Sequence, residues 1–283
     1  MTGSTDIRYD QGFFHSHEDR QIFFQSWLPR GEPCAVIIIV HGMGEHSGRY
    51  MNLVNRFVPL GFAVYGLDHT GHGRSEGRRK FIRNFSVFTR TLDQFLERVK
   101  AAHSQQKVFL MGHSMGGAIT LSFLLDYPGR VEGAVLSGPA VMPPPAFPGV
   151  VLAAGKLLGR FLPWLRVVRT DFEGMSRDPA VVQDALADPL IPKVRTTAGL
   201  AGQTLEAMAR IRSECGRITG PVLILQGSAD RLVDPEGGPF LYDRIGSQDK
   251  TLKIYEGLFH EVLSEPEHEQ VLDDVQVWVE KRM

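Results

Sequence analysis

The chain has 283 residues, enough to bury a large core as one α/β domain or two small ones. Its 43% hydrophobic and 22% charged residues exclude a disordered chain, and 31 Lys and Arg against 32 Asp and Glu leave nothing that points to nucleic acid or a strongly acidic partner. Two cysteines, Cys34 and Cys215, make neither a disulfide framework nor a zinc pattern, and suit reduced, small apolar residues.

The polar start "MTGSTDIRYDQG" lacks the basic residues and apolar stretch of a secretory signal, so a cytoplasmic location is expected. "QGFFHSH" (11–17) and "RQIFFQSWLP" (20–29) predict an antiparallel hairpin at a sheet edge. Short apolar runs then recur at 35–40, 62–67, 108–111, 133–137, 222–226 and 252–255, each reading as a strand, most of them buried on both faces. Between most of them lie helical patterns, such as Phe88, Leu92, Phe95, Leu96 and Val99, or Val271, Leu272, Val275, Trp278 and Val279. Alternation of this kind implies a mostly parallel sheet covered by helices on both sides. It breaks once, from 141 to about 217, where no clear strand stands out. "MPPPAFPG" opens that interval, which reads as an inserted helical cap between a first core part (1–140) and a second (218–283). Within it, Lys156, Arg160 and Pro163 interrupt the apolar stretch 147–165, which predicts an amphipathic surface helix and no membrane span.

The pentapeptide "GHSMG" (112–116) lies between the strand at 108–111 and an apolar helical run. It fits the G-x-S-x-G turn that lifts a serine hydroxyl clear of a sheet. Reactive groups in such sheets gather beyond the carboxyl ends of the strands. The loop after 222–226 carries Asp230 and Asp234, and the loop after 252–255 carries His260. Asp230 follows its strand more closely, whereas Asp234 before Pro235 resembles a helix cap, so Asp230 is the preferred acid. Ser114, Asp230 and His260 then follow the serine, acid, histidine order of an α/β-hydrolase. In that chemistry the imidazole takes the hydroxyl proton and the carboxylate fixes its tautomer. An oxyanion needs aligned N–H donors, and the expected ones are the backbones of Met115 and of Met43 in "HGMG". His41, His69, His72 and His113 match no metal-ligand spacing and are expected to hydrogen-bond loops near the pocket; "LDHTGHGRSEG" (67–77) reads as a structural turn.

Together "HGMGEHSGRY", "DHTGHGRSEG", "GHSMGGA", "GSADRLVDP" and "YEGLFH" resemble the monoacylglycerol lipase and lysophospholipase branch of the α/β-hydrolase superfamily, over most of the chain outside the cap. The resemblance implies Ser114 as nucleophile, Asp230 as acid, His260 as base, and Met43 and Met115 as the oxyanion-hole backbones. It also implies a cap that shapes an apolar tunnel for one acyl chain and touches membranes transiently. Glu45 and Arg49 are candidates for the polar end of the substrate or for an ion pair that caps their helix. The expectation is a hydrolase without cofactor or metal, acting on a small lipid ester, first of all a monoacylglycerol. A lysophospholipase, a general carboxylesterase, or a non-catalytic lipid-binding protein on the same fold remain alternatives.

Overall fold

A computed structural model describes residues 7–144 and 148–283. The first six residues of the polar start and residues 145–147 of the Pro-rich stretch lie outside them.

β1 (Arg8–His15) and β2 (Gln21–Leu28) form the expected antiparallel hairpin, with Arg8 opposite Leu28 and His15 opposite Gln21. β3 (Ala35–Val40), β4 (Phe62–Leu67), β5 (Val108–His113), β6 (Gly133–Ser137), β9 (Val222–Gly227) and β10 (Lys250–Tyr255) follow the apolar runs. The sheet order is β1-β2-β4-β3-β5-β6-β9-β10; β2 pairs antiparallel with β1 and β4, and every other pairing is parallel. β10 is less enclosed than its neighbours: most of it is partly exposed, as befits an edge.

Period-2 alternation along β3 divides the core into two layers. Val36, Ile38 and Val40 pack with α2 (Ser86–Ala102) and α3 (Met115–Asp126), through residues such as Phe88, Phe95, Ile119 and Phe123. Ala35, Ile37 and Ile39 face α1 (Met51–Phe57) and α8 (His268–Glu280), through Leu53, Phe57, Val271 and Trp278. A sheet buried on both faces fixes its strand ends, and loops that leave those ends inherit the precision.

β3 and β5 lie side by side, but the chain leaves β3 for β4 on one side and leaves β5 for β6 on the other. That reversal opens a crevice at the carboxyl ends of the strands, where open α/β sheets bind ligands. The loops after β3, β5, β9 and β10, which carry the residues singled out in the sequence, all leave from this edge.

Between β6 and β9 the chain leaves the sheet for α4 (Gly149–Phe161), α5 (Pro179–Ala187) and α6 (Ala198–Glu214). This interval also holds two strands, β7 (Arg166–Val168) and β8 (Thr196–Thr197), paired antiparallel in a sheet of their own. The expectation of no strand there is corrected: three and two residues are too short for a period-2 signal, and their pairing is non-local. α4 lies against α6 at glycines, where a Cβ on Gly159 would come within 2.6 Å of the Ala198 carbonyl oxygen. No residue of α4 is buried, and Val150, Leu157 and Phe161 are exposed.

Candidate active site

β5 ends at His113 and Ser114 turns the chain into α3 with φ 54° and ψ −120°, a backbone that L-residues adopt at a cost of about 1–3 kcal/mol. The turn is held from both sides. Ser114 N–H donates to the Ser137 carbonyl on the neighbouring strand at 2.9 Å, and the Ser114 carbonyl accepts from Gly117 N–H at 2.9 Å and Ala140 N–H at 3.0 Å. Gly116 permits it: a Cβ there would overlap the Val40 carbonyl oxygen, so only glycine lets α3 start this close to β3. The Ser114 side chain stays partly exposed while the residues around it are buried.

His260 and Asp230 meet in the buried floor beside this turn. His260 Nδ1–H donates to Asp230 Oδ2 at 2.7 Å. The carboxylate is anchored in turn: Oδ1 accepts from the backbone N–H groups of Leu232 (2.9 Å) and Val233 (3.1 Å), and Oδ2 also accepts from Gln226 Nε2 (3.1 Å). With Nδ1 committed to Asp230, Nε2 is the imidazole nitrogen left to work on a proton. The His113 ring packs on His260 with centroids 4.7 Å apart, and His113 Nδ1–H donates to the Ser137 carbonyl, so residues on both sides of Ser114's clamp also seat the imidazole. Among the described residues no hydrogen bond joins Ser114 to His260; such bonds are often long before a substrate is bound.

Asp234 is not part of this arrangement. Its carboxylate accepts from Glu236 N–H at 3.0 Å, a local turn ahead of α7 (Gly237–Arg244).

The loop after β3 carries Met43; Met115 is the first residue of α3, and its N–H belongs to the donors that a helix leaves unpaired. Glu45 holds this loop from beneath. Its Oε1 accepts from Gly42 N–H at 2.5 Å and from Tyr50 Oη–H at 2.8 Å. Arg49 stands 3.5 Å from Glu45 and donates to Glu261 at 3.0 Å. Of the two readings of Glu45 and Arg49, the ion pair is the one built here: protein partners take up both charges, and Glu45 is only 5% exposed.

The histidines divide. His41 Nδ1–H donates to the Gly42 carbonyl while Nε2 accepts from His69 N–H at 2.9 Å, which fixes a neutral tautomer under the loop. His72 Nδ1–H donates to the Thr70 carbonyl. His69 departs from expectation: neither ring nitrogen has a hydrogen-bond partner among the described residues, and its ring packs against His41 and Phe88. The turn at 67–77 is structural as read, with Asp68 accepting from Ser47 N–H, Ser47 Oγ–H and Arg74 N–H. Sequence reasoning missed Glu261, Tyr50, Gln226 and the bond from His46 Nε2–H to Asp188 at 2.8 Å, which ties the loop after β3 to the inserted segment. Glu261 adjoins His260 in the chain, but His46 and Asp188 are 142 positions apart and share no local pattern.

The family described as serine aminopeptidase, S33, matches residues 31–267. The chain belongs to this family. It is 38% identical over 259 residues to the monoacylglycerol lipase of Mycolicibacterium smegmatis, covering 92% of each chain. It is 40% identical over 269 residues to the human monoglyceride lipase, covering 94% of this chain and 88% of that one. The crystal structure of the Paleococcus ferrophilus monoacylglycerol lipase superposes with a TM-score of 0.82 at 30% identity, over 98% of this chain and all of that one. These matches place the chain in the monoacylglycerol lipase-like branch of the α/β-hydrolases.

Electrostatics separate the histidines of this S33-family hydrolase further. At His260 burial, the largest influence, favours the neutral ring. The charge and hydrogen bond of Asp230, with the charges of Glu261 and Glu45, outweigh it and raise the pKa above 6.5. Burial likewise works against the Asp230 carboxylate, but His260 and the Val233 and Leu232 N–H groups hold its pKa below the ordinary value. Burial first, and neighbouring imidazoles next, depress His69 well below 6.5, His72 to about 3 and His113 to about 4; burial also lowers His41.

These four rings therefore stay neutral when folded and bind protons when unfolded. Their contribution to stability is fully present above pH 6.5 and is lost as pH falls toward about 4 and 3, by up to about 1.4 kcal/mol per pH unit for each ring. His260, whose pKa folding raises, contributes its full stabilisation below 6.5 and so adds no slope in that window. Urea unfolding at stepped pH should show stability falling steeply below pH 6.5, and His72→Asn should flatten the slope; a profile flat to pH 4 would contradict it.

Proposed function

We propose that this chain is a serine hydrolase that needs no cofactor and cleaves carboxylic esters of glycerol, with monoacylglycerol as its preferred substrate. The observation that carries the reading is the buried Asp230–His260 hydrogen bond of 2.7 Å set beside the strained turn that presents Ser114. The names of the relatives, which are monoacylglycerol and monoglyceride lipases, support the substrate class.

In this reading His260 Nε2 takes the Ser114 hydroxyl proton as Oγ attacks the ester carbonyl, and Asp230 stabilises the imidazolium that forms. The backbone N–H groups of Met43 and Met115 receive the oxyanion. Collapse of the tetrahedral intermediate expels the glycerol oxygen, which takes the proton from His260 and leaves an acyl group on Ser114. Water then attacks that acyl carbonyl, giving its proton to His260. Fatty acid leaves, and the proton returns to Ser114. Glu45 and Arg49 act indirectly: Glu45 fixes the Gly42 backbone and with it the direction of the Met43 N–H.

Residues 141–217 act as a cap over the crevice, tied down by the His46–Asp188 bond. Exposed Val150, Leu157, Phe161 and Trp164 on and just after α4 give the cap an apolar surface for transient contact with a lipid layer. No helix among the described residues is long and apolar enough to cross a membrane, so the contact is interfacial.

Ser114→Ala should abolish hydrolysis of 1-oleoylglycerol while the protein stays folded, and Asp230→Asn should cut kcat by about four orders of magnitude. The base works only when His260 is neutral, so kcat/KM should fall as pH drops through a value above 6.5. Turnover retained by Ser114→Ala would sink the mechanism.

On equal amounts of 1-oleoylglycerol, dioleoylglycerol, trioleoylglycerol and 1-oleoyl lysophosphatidylcholine, kcat/KM should be highest for the first by about tenfold or more. Equal or faster cleavage of the lysophospholipid would keep the mechanism and replace the substrate.

Changing Phe161 and Trp164 together to Ser should lower the rate on 1-oleoylglycerol presented in vesicles severalfold and leave a soluble short-chain ester unaffected. Equal losses on both would overturn the membrane contact.

A further inference from the structure

Lys80 is 1% exposed and lies at the seam between core and cap. Its backbone, at φ 54°, is pinned by both: its N–H donates to the Gly71 carbonyl, and its carbonyl accepts from Thr197 Oγ1–H at 2.6 Å and Thr197 N–H at 3.3 Å. Its side chain runs against the loop after β3, where a Cβ on Gly44 would come within 2.9 Å of Cε and 3.1 Å of Nζ. An ammonium carries three donors. This one gives a single hydrogen bond, to the neutral hydroxyl Thr170 Oγ1 at 3.0 Å, and no carboxylate pairs with it among the described residues.

A buried charge without a counter-ion is expensive, and the surroundings make it more so. Burial first, then the charges of Lys193 and Arg166, push Lys80 down to about 8. Thr170 and Lys193 both line a cavity of about 790 Å³ in the cap, whose charged wall is Arg169, Lys193 and Arg195 against Asp171 and Glu173. Phe172, Val182 and Leu186 supply apolar wall alongside. The cavity thus joins apolar surface to an excess of positive charge, with an unpaired ammonium one hydrogen bond behind its wall and beside the residue that follows Met43. An ester of glycerol offers Lys80 acceptor oxygens but no countercharge; an oxyanionic group supplies both.

We propose that Lys80 and Lys193, with Thr170 between core and cavity, form a subsite for the oxyanionic head of a single-chain lipid, a carboxylate or a phosphate. The inference rests on reading the cap as a lipid site. A carboxylate occupant would be the released fatty acid, and the subsite would then set product retention; a phosphate occupant would be an acyl glycerol phosphate, and the subsite would extend the range of substrates.

The test is equilibrium binding to the Ser114→Ala protein, which turns nothing over, by calorimetry at pH 7 below the critical micelle concentrations. The probes are oleate, 1-oleoyl lysophosphatidate and, as neutral reference, oleyl alcohol. We expect at least tenfold tighter binding of one or both anions than of the alcohol, with the preference lost when Lys80→Met is added. Preference for oleate alone assigns the carboxylate, and for lysophosphatidate alone the phosphate. Equal affinities for all three probes would overturn the proposal, as would a preference that survives Lys80→Met. If that variant does not fold, Lys193→Gln decides: the preference should fall at least threefold, and an unchanged preference overturns the proposal. Failure of the intact chain to hydrolyse esters would defeat the catalytic reading and leave this binding comparison standing.

Discussion

A serine can hold φ 54° only where its neighbours overdetermine the turn, and much of this molecule is arranged to do so. Ser114 hangs from the Ser137 carbonyl, carries Ala140 on its own carbonyl, and is followed by Gly116 at a point where β3 admits no side chain. The eight-stranded sheet supplies the rigidity, since β5 is buried on both faces between β3 and β6. Strain of about 1–3 kcal/mol at one residue is small beside the burial that enforces it. In return the chain turns straight from β5 into α3, which Met115 begins.

Charge is distributed around that turn by function. The pair Asp230–His260 keeps one imidazole basic against the pull of burial. The adjacent rings of His113 and His41 are kept neutral by the same burial, because among the described residues no carboxylate hydrogen-bonds them; their donors go to backbone carbonyls. Glu45, Arg49 and Glu261 form a third group, a buried ion network in which Glu45 holds the Gly42 N–H and the charges of Glu261 and Glu45 raise the basicity of His260. Removing one member of such a network leaves the others buried and unpaired, which is why its effect would reach geometry as well as field. Lys80 is the exception, a charge at the boundary of core and cap with no partner of opposite sign among the described residues.

The sequence made the sheet legible because its strands are continuous apolar runs: the runs at 35–40, 62–67 and 133–137 coincide with β3, β4 and β6 to the residue. The candidate site was legible where one residue type and one loop position sufficed, as for Ser114, Asp230 and His260. It was not legible where the partner is distant and chemically ordinary. Nothing local links His46 to Asp188 or Lys80 to Thr170, and β7 with β8 is too short to show a period. Glu45 and Arg49 show the middle case: their place after the loop offered a substrate contact or an ion pair, and only the fold supplies Glu261 and the Gly42 N–H that give the pair its place.

The central claim is that the turn at residue 114 presents a hydroxyl activated by His260. A fluorophosphonate reacts with such a serine and not with an ordinary one, so intact mass followed by peptide sequencing reads the claim directly. One adduct per chain, located on Ser114 and formed far more slowly in Asp230→Asn, is the predicted result. No adduct, or an adduct on another residue with Ser114 unmodified, would contradict it.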